Sequence, residues 1–302
     1  MTDRRGDSTR SLTHRERFCR AYDFERVDRP TRWEAIEFWQ QTVGEWKAAD
    51  GLPEDVNVME YYGFDPRPTL SGALGFTEMA LSGPPVQSRV IQDDGHTQIW
   101  ENDLGKVWRD RTDGTSMPQW LRFPVESHQD WLTKIKPRLN PMEHDYGDLE
   151  ATASRMREND APNGLWLVGL YAFWRNFWGE EKLAYAFYDS PETLHDMART
   201  WLTMQCECTS RIFEVGRNDY TFFHEDMAFK NGPFIGPDLF DAFMAPYYRE
   251  LLTHLRKCGQ HRFMLDSDGN NGVILEHFIE LGMNGLFPFE VAAGNDVLEF
   301  RK

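Results

Sequence analysis

The sequence predicts an α/β protein built on a parallel sheet, and three observations carry that reading. From Leu165 onward, apolar strands alternate with amphipathic helices at about 40 residues per unit, the rhythm of strand–helix–strand crossovers in a sheet either open or closed. Leu165-Trp166-Leu167-Val168-Gly169-Leu170 is an almost unbroken apolar run, as expected of a strand covered on both faces. Three successive strand candidates end in acids. Tyr220-Thr221-Phe222-Phe223 runs into His224-Glu225-Asp226, and Phe263-Met264-Leu265 into Asp266-Ser267-Asp268-Gly269-Asn270-Asn271. Gly285-Leu286-Phe287 runs into Pro288-Phe289-Glu290. In α/β barrels the C-terminal ends of strands are where chemistry sits.

Residues 1–10 are polar and expected to be disordered. Thr13-x-x-Glu16 is a capping-box pattern that opens a short helix to about Tyr22. Arg32 to Phe38 reads as a first strand, and Phe38 to Ala49 as a helix closed by Gly51. Residues 52–85 are rich in Pro and Gly and irregular. Residues 86–111 form an antiparallel insertion: Val90-Ile91 and Gln98-Ile99-Trp100 flank the turn dipeptide Asp94-Gly95, and Gly105 to Trp108 supplies a third strand. Ser127 to Lys136 and Leu149 to Glu158 read as helices. Ser190-Pro191-Glu192 is an N-cap, a first-position proline and an early acid, opening a helix that Gly216 ends. Pro237 to Lys257 repeats the helical stripe up to Gly259, with Pro246 expected to kink it.

The net charge of −16 excludes nucleic acid and anionic membrane as partners, because both need a basic footprint. A local basic pocket would be invisible in that total. Cys206 and Cys208 lie two apart in a helical stretch, no Cys-x-x-Cys occurs, and the four thiols read as reduced and partly buried. No apolar run approaches the roughly 20 residues that span a bilayer, and no signal sequence is evident, so the expected location is the cytoplasm. The composition, with 40% hydrophobic residues, fits a single domain over 1–302 with a sizeable core.

Several segments together resemble the uroporphyrinogen decarboxylase superfamily. Thr13-His14-Arg15-Glu16-Arg17 followed by Asp28-Arg29-Pro30 is similar to its opening; Glu225-Asp226-Met227-Ala228 with Asn231-Gly232-Pro233-Phe234-Ile235 is similar to a middle segment. Asp266-Ser267-Asp268-Gly269-Asn270, Glu280-Leu281-Gly282 and Pro288-Phe289-Glu290 resemble its late motifs. The resemblance implies a (β/α)8 TIM barrel, here with six strands counted and the last two lacking. It also implies either a cofactor-independent decarboxylase of a tetrapyrrole-related or other small organic acid, or a methyltransferase working with a corrinoid protein; the two strands lacking leave a third reading, a non-catalytic binding protein or a fragment of a longer barrel. Two departures bear on that choice. Where the haem-pathway enzyme has an arginine-rich turn, this chain has Glu34-Ala35-Ile36-Glu37-Phe38-Trp39. Where the methyltransferases carry a zinc-binding His-x-Cys pair, it has Asp266 and Asp268, harder ligands than thiolates.

The expected catalytic residues are Glu225, Asp226, Asp266 and Asp268, their carboxylates lining one cavity. Clustered acids in a dry site raise at least one pKa and so supply a proton donor near neutral pH. The competing reading of Glu225 and Asp226 is a cap or loop hydrogen bond to a neighbouring helix. Glu37, Trp39, Arg175, His224, Asn270 and Glu290 are the expected substrate-binding residues, with Arg175 as the cation for an anionic group. No cofactor and no bound zinc are expected. A barrel lacking two strands leaves bare edges, which residues 1–30 and the 86–111 insertion, or pairing of two chains, are expected to cover.

Overall fold

The computed structural model describes residues 11–33, 38–66 and 81–302. Helix α1 (His14–Tyr22) is opened by the capping box of Thr13 and Glu16, and α2 (Gln40–Asp50) ends on Gly51 in the left-handed region. A single turn, α3 (Val58–Tyr61), follows. The first strand expected at 32–38 falls partly outside the described residues, and Arg32, Trp33 and Phe38 are not in a strand.

Residues 88–122 form a four-stranded antiparallel meander: β1 (Ser88–Asp93), β2 (Thr97–Asn102), β3 (Val107–Arg111) and β4 (Gln119–Arg122). It carries one strand more than the sequence pattern suggests. Register aligns Val90, Trp100, Trp108 and Trp120 in one row across it. A short turn, α4 (His128–Asp130), continues as a π-turn, and α5 (Leu149–Glu158) leads to the main sheet.

The main sheet is parallel, built from β5 (Gly164–Val168), β6 (Tyr220–His224), β9 (Phe263–Asp266) and β10 (Gly285–Phe287) in spatial order 10-9-6-5. Helices α6 (Leu170–Trp178), α7 (Glu180–Asp189) and the long α8 (Pro191–Val215) separate β5 from β6. A two-residue hairpin pairs β7 (Ala228–Phe229) with β8 (Gly232–Pro233). Next come α9 (Pro237–Leu239) and α10 (Ala245–Lys257). Between them Phe240–Met244 forms a π-turn immediately before Pro246, the local answer to a residue with no N–H and a ring that crowds the preceding turn. Helix α11 (Gly272–Leu281) and the turn α12 (Val297–Phe300) complete the chain. Among the described residues the parallel sheet has four strands, not the six counted from sequence, and no closed barrel is formed.

Period-2 alternation sorts the strand side chains. Leu165, Leu167, Thr221, Phe223, Phe263 and Leu265 face the helices and are fully or almost fully buried there. Trp166, Tyr220, Phe222, Met264 and Phe287 form the opposite, concave face, closed at its base by Phe18, Tyr22 and Trp33. Arg15 reaches Asp219 at 2.9 Å and Tyr22 reaches Asn284 at 3.1 Å, so residues 11–33 seal the N-terminal ends of the strands rather than the sheet edges. Outside β10 an apolar groove of about 490 Å³ lies open between Phe278, Ile279, Leu286, Phe289 and Phe300. Among the described residues no helix is long and apolar enough to cross a membrane.

Candidate active site

The register of β6 and β9 sets His224 opposite Asp266. Both point to the concave face, and His224 Nδ1 lies 2.8 Å from Asp266 Oδ2. Asp268, two residues further on, is the most open of the group. Burial holds its pKa above the ordinary aspartate value; the charges of Asp226, Asp266 and Glu290 push the same way, and His224 pulls it back. Those groups share the C-terminal end of the sheet with it, near enough for their charges to act on its carboxyl.

Asp226 belongs to this end through its backbone. With φ at +44° it turns out of the strand, and its N–H donates to Asp266 O at 3.0 Å. Arg175, from α6, clamps it: Nη1 donates to Asp226 O at 2.6 Å and Nη2 to Asp226 Oδ2 at 2.9 Å. Two arms of the guanidinium thus engage Asp226 of the same chain, where the sequence suggested an open cation for an anionic substrate.

Glu225 is a correction to the sequence reading. It follows Thr221 and Phe223 on the helix side of β6, so alternation turns it away from Asp266. Its carboxylate is wholly buried and accepts from Leu170 N (2.9 Å), Tyr171 N (2.8 Å) and Ala172 N (3.1 Å), the free donors at the start of α6. Tyr248 O–H, from α10, donates to it as well. Desolvation raises its pKa to about 7, against the pull of Tyr248 and the three amides. Gly169 makes the arrangement possible, since a Cβ there would stand 2.3 Å from Glu225 Cδ. Glu225 ties β6 to α6 and α10, its carboxylate turned to the opposite face of the sheet from that of Asp266.

The turn after β9 is a lattice of polar contacts. Gly269, at φ +78°, presses against the backbone of Ala228 and Phe229, too close for any side chain, and its N–H donates to Glu290 Oε2 at 2.7 Å. Asn270 accepts from Gly272 N at 3.0 Å and donates to Ala293 O at 3.2 Å. Glu290 and Asn270 therefore fix the loop that presents Asp268. Trp39 opens α2 with half its surface in solvent, and no contact among the described residues brings it to the strand ends. Glu37 lies outside the described residues.

Sequence reasoning missed Tyr248, Trp166 and Ser267. Trp166 sits on the concave face with its ring 6.2 Å from that of His224. Ser267 is fully buried, accepts from Met227 N at 3.1 Å and donates to Asn271 Oδ1 at 2.8 Å, locking the β6 and β9 loops together. The alternation of Asp266, Ser267 and Asp268 was the available signal for it.

The donors at this end are an imidazole and hard oxygens. The four cysteines lie on α1, on α8 and just after α10, away from the strand ends. Among the described residues no three His, Cys, Asp or Glu are arranged to hold a metal. The residues present at this end do not match a thiolate zinc centre.

No family model matches the chain, and no curated protein matches it in sequence. Among solved structures it is similar to a methyltransferase from Methanosarcina mazei, with a TM-score of 0.54 over 91% of this chain and 76% of that one. The identity is 13%. The likeness is one of fold.

Proposed function

We propose that the protein is an enzyme that moves a methyl group from a small donor to a corrinoid-carrying partner protein, with its site at the C-terminal ends of β6 and β9. The observation that carries the reading is the carboxyl of Asp268, poised among Asp226, Asp266 and Glu290 and next to the His224–Asp266 pair. Breaking a bond between methyl carbon and a heteroatom leaves the electron pair on the heteroatom, which then needs a proton. Asp268, protonated to a higher pH than an ordinary aspartate, supplies it. Asp266, 2.8 Å from His224 Nδ1, fixes the orientation of the ring beside the donor.

Trp166, half-buried on the same face with its ring beside that of His224, offers the methyl-bearing end of a donor an apolar surface. The partner carries the acceptor. The chain's own work is to hold the donor, exclude water and deliver the proton. The fold likeness to a methyltransferase supports transfer over decarboxylation, for which no comparable support exists. The superfamily resemblance of the motifs is compatible with either.

The test is a methyl-transfer assay with cob(I)alamin as surrogate acceptor and a panel of methylated amines, thioethers and aryl ethers. Absorbance change with one donor class, lost in Asp268→Asn, is expected. Carbon dioxide release from an organic acid, with no methyl transfer from any donor, overturns the reading.

A further inference from the structure

We propose that the chain carries a second binding site, for a small organic phosphate, at the opposite end of the sheet from the candidate active site. A cavity of about 490 Å³ opens between the last turn of α5, the end of α8 and the loop into β6. Ligand pockets commonly span about 300–1,000 Å³. Arg15, Arg157 and Arg217 line it against a single acid, Glu214. In a chain of net charge −16, that is a local inversion of sign.

The guanidinium groups are not used up by the fold. Arg15 donates Nε to Asp219 Oδ1 at 2.9 Å, and Arg157 donates Nη1 to Val215 O at 3.3 Å, which caps the negative end of α8. Each keeps further N–H donors. Arg217 is exposed and makes no side-chain hydrogen bond or ion pair among the described residues. Helix capping and one ion pair account for two contacts; they do not account for three arginines around one hollow.

A second feature points to a ligand. Asn163 lines the same cavity, is 1% exposed, and has a side-chain oxygen with no hydrogen-bond partner, while its Nδ2 donates to Met156 O at 3.2 Å. A buried acceptor left open costs free energy unless a donor reaches it, and a small turn of the Asn163 amide would bring this oxygen to the cavity wall. Phe213 and Met156 make the remaining wall apolar. The site thus offers cationic forks for an oxyanion, an acceptor for a hydroxyl and a surface for a hydrocarbon body. Even with Asp219 and Glu214 offsetting part of the charge, three guanidinium forks offer more donors than a single carboxylate can accept from and suit the three oxygens of a phosphate.

Titration calorimetry of the full chain with phenyl phosphate, inorganic phosphate, benzoate and phenol tests this at two salt concentrations. Phenyl phosphate is expected to bind one per chain and more tightly than inorganic phosphate or benzoate, with phenol silent. Affinity should fall with added salt, and by about tenfold in Arg217→Ala. Because Arg217 holds no structural contact, that variant should keep the wild-type unfolding midpoint. Asp268→Asn should bind phenyl phosphate as wild type does. No binding of phenyl phosphate, binding undiminished in Arg217→Ala, or binding lost in Asp268→Asn each overturn the proposal.

Discussion

Replacing Glu225 by glutamine tests what holds the site together. Four donors converge on that carboxyl: three amides of the first turn of α6 and the phenol of Tyr248. Glutamine keeps the size but sets an NH2 against N–H groups. At pH 5 the folded carboxyl is itself protonated, so glutamine adds one N–H beyond its O–H and orphans about one donor, a cost of roughly 1–3 kcal/mol. The cost should depend on pH. The folded-state pKa of Glu225 is about 7, above an unfolded value of about 4.3. The folded protein therefore binds this proton more tightly. The stability that results is present in full below about pH 4.3 and is lost as pH rises through 7. The loss approaches about 3 kcal/mol, whereas glutamine does not titrate. Urea unfolding of both proteins at pH 5 and pH 8 reads the difference directly. The penalty should be largest at pH 5 and shrink toward zero by pH 8. A penalty under about 1 kcal/mol at pH 5, or one that grows with pH, would refute the placement of Glu225 as a buried clamp.

Four further outcomes follow from the same geometry. Gly169→Ala would put a methyl 2.3 Å from a pinned carboxyl, and should destabilise by about 1–3 kcal/mol in thermal or urea unfolding. Gly216→Ala, whose new carbon meets only Ala153 Cβ at 3.3 Å among side chains, should be far milder. Arg175→Lys loses the two-pronged grip on Asp226 and should lower stability by about 1–2 kcal/mol, with increased backbone exchange at residues 225–227 by hydrogen-exchange mass spectrometry. Asp266→Asn breaks the pair with His224 and should reduce turnover at least tenfold while leaving the unfolding midpoint within a few degrees.

The strand–helix half of the fold was legible because its apolar runs and stop signals are strong. Gly164–Val168, Tyr220–His224 and Phe263–Asp266 lie within one or two residues of the strands expected. The antiparallel hairpin was readable from Asp94-Gly95, but β4 was not, since its four residues are all exposed and carry no alternation. The site was read at the level of strand ends and misread at the level of faces. Glu225 and Asp226 are neighbours, so one of them had to face the helices. Phe223 and Thr221, two and four residues before Glu225, already mark its side. The engagement of Arg175 was invisible because it depends on the positive φ of Asp226, which no local residue pattern announces.

The most direct test of the proposed chemistry is the pH dependence of methyl transfer by wild type and Asp268→Asn, measured with the donor that gives the highest rate. The raised pKa of Asp268 keeps it protonated to higher pH than an ordinary aspartate, so the wild-type rate should be flat at low pH and fall as the carboxyl ionises. Asp268→Asn should be slower by about a hundredfold in kcat, little changed in KM, and should lack that descending limb. A variant as fast as wild type, or one that keeps the limb, would contradict the assignment of Asp268 as the proton donor.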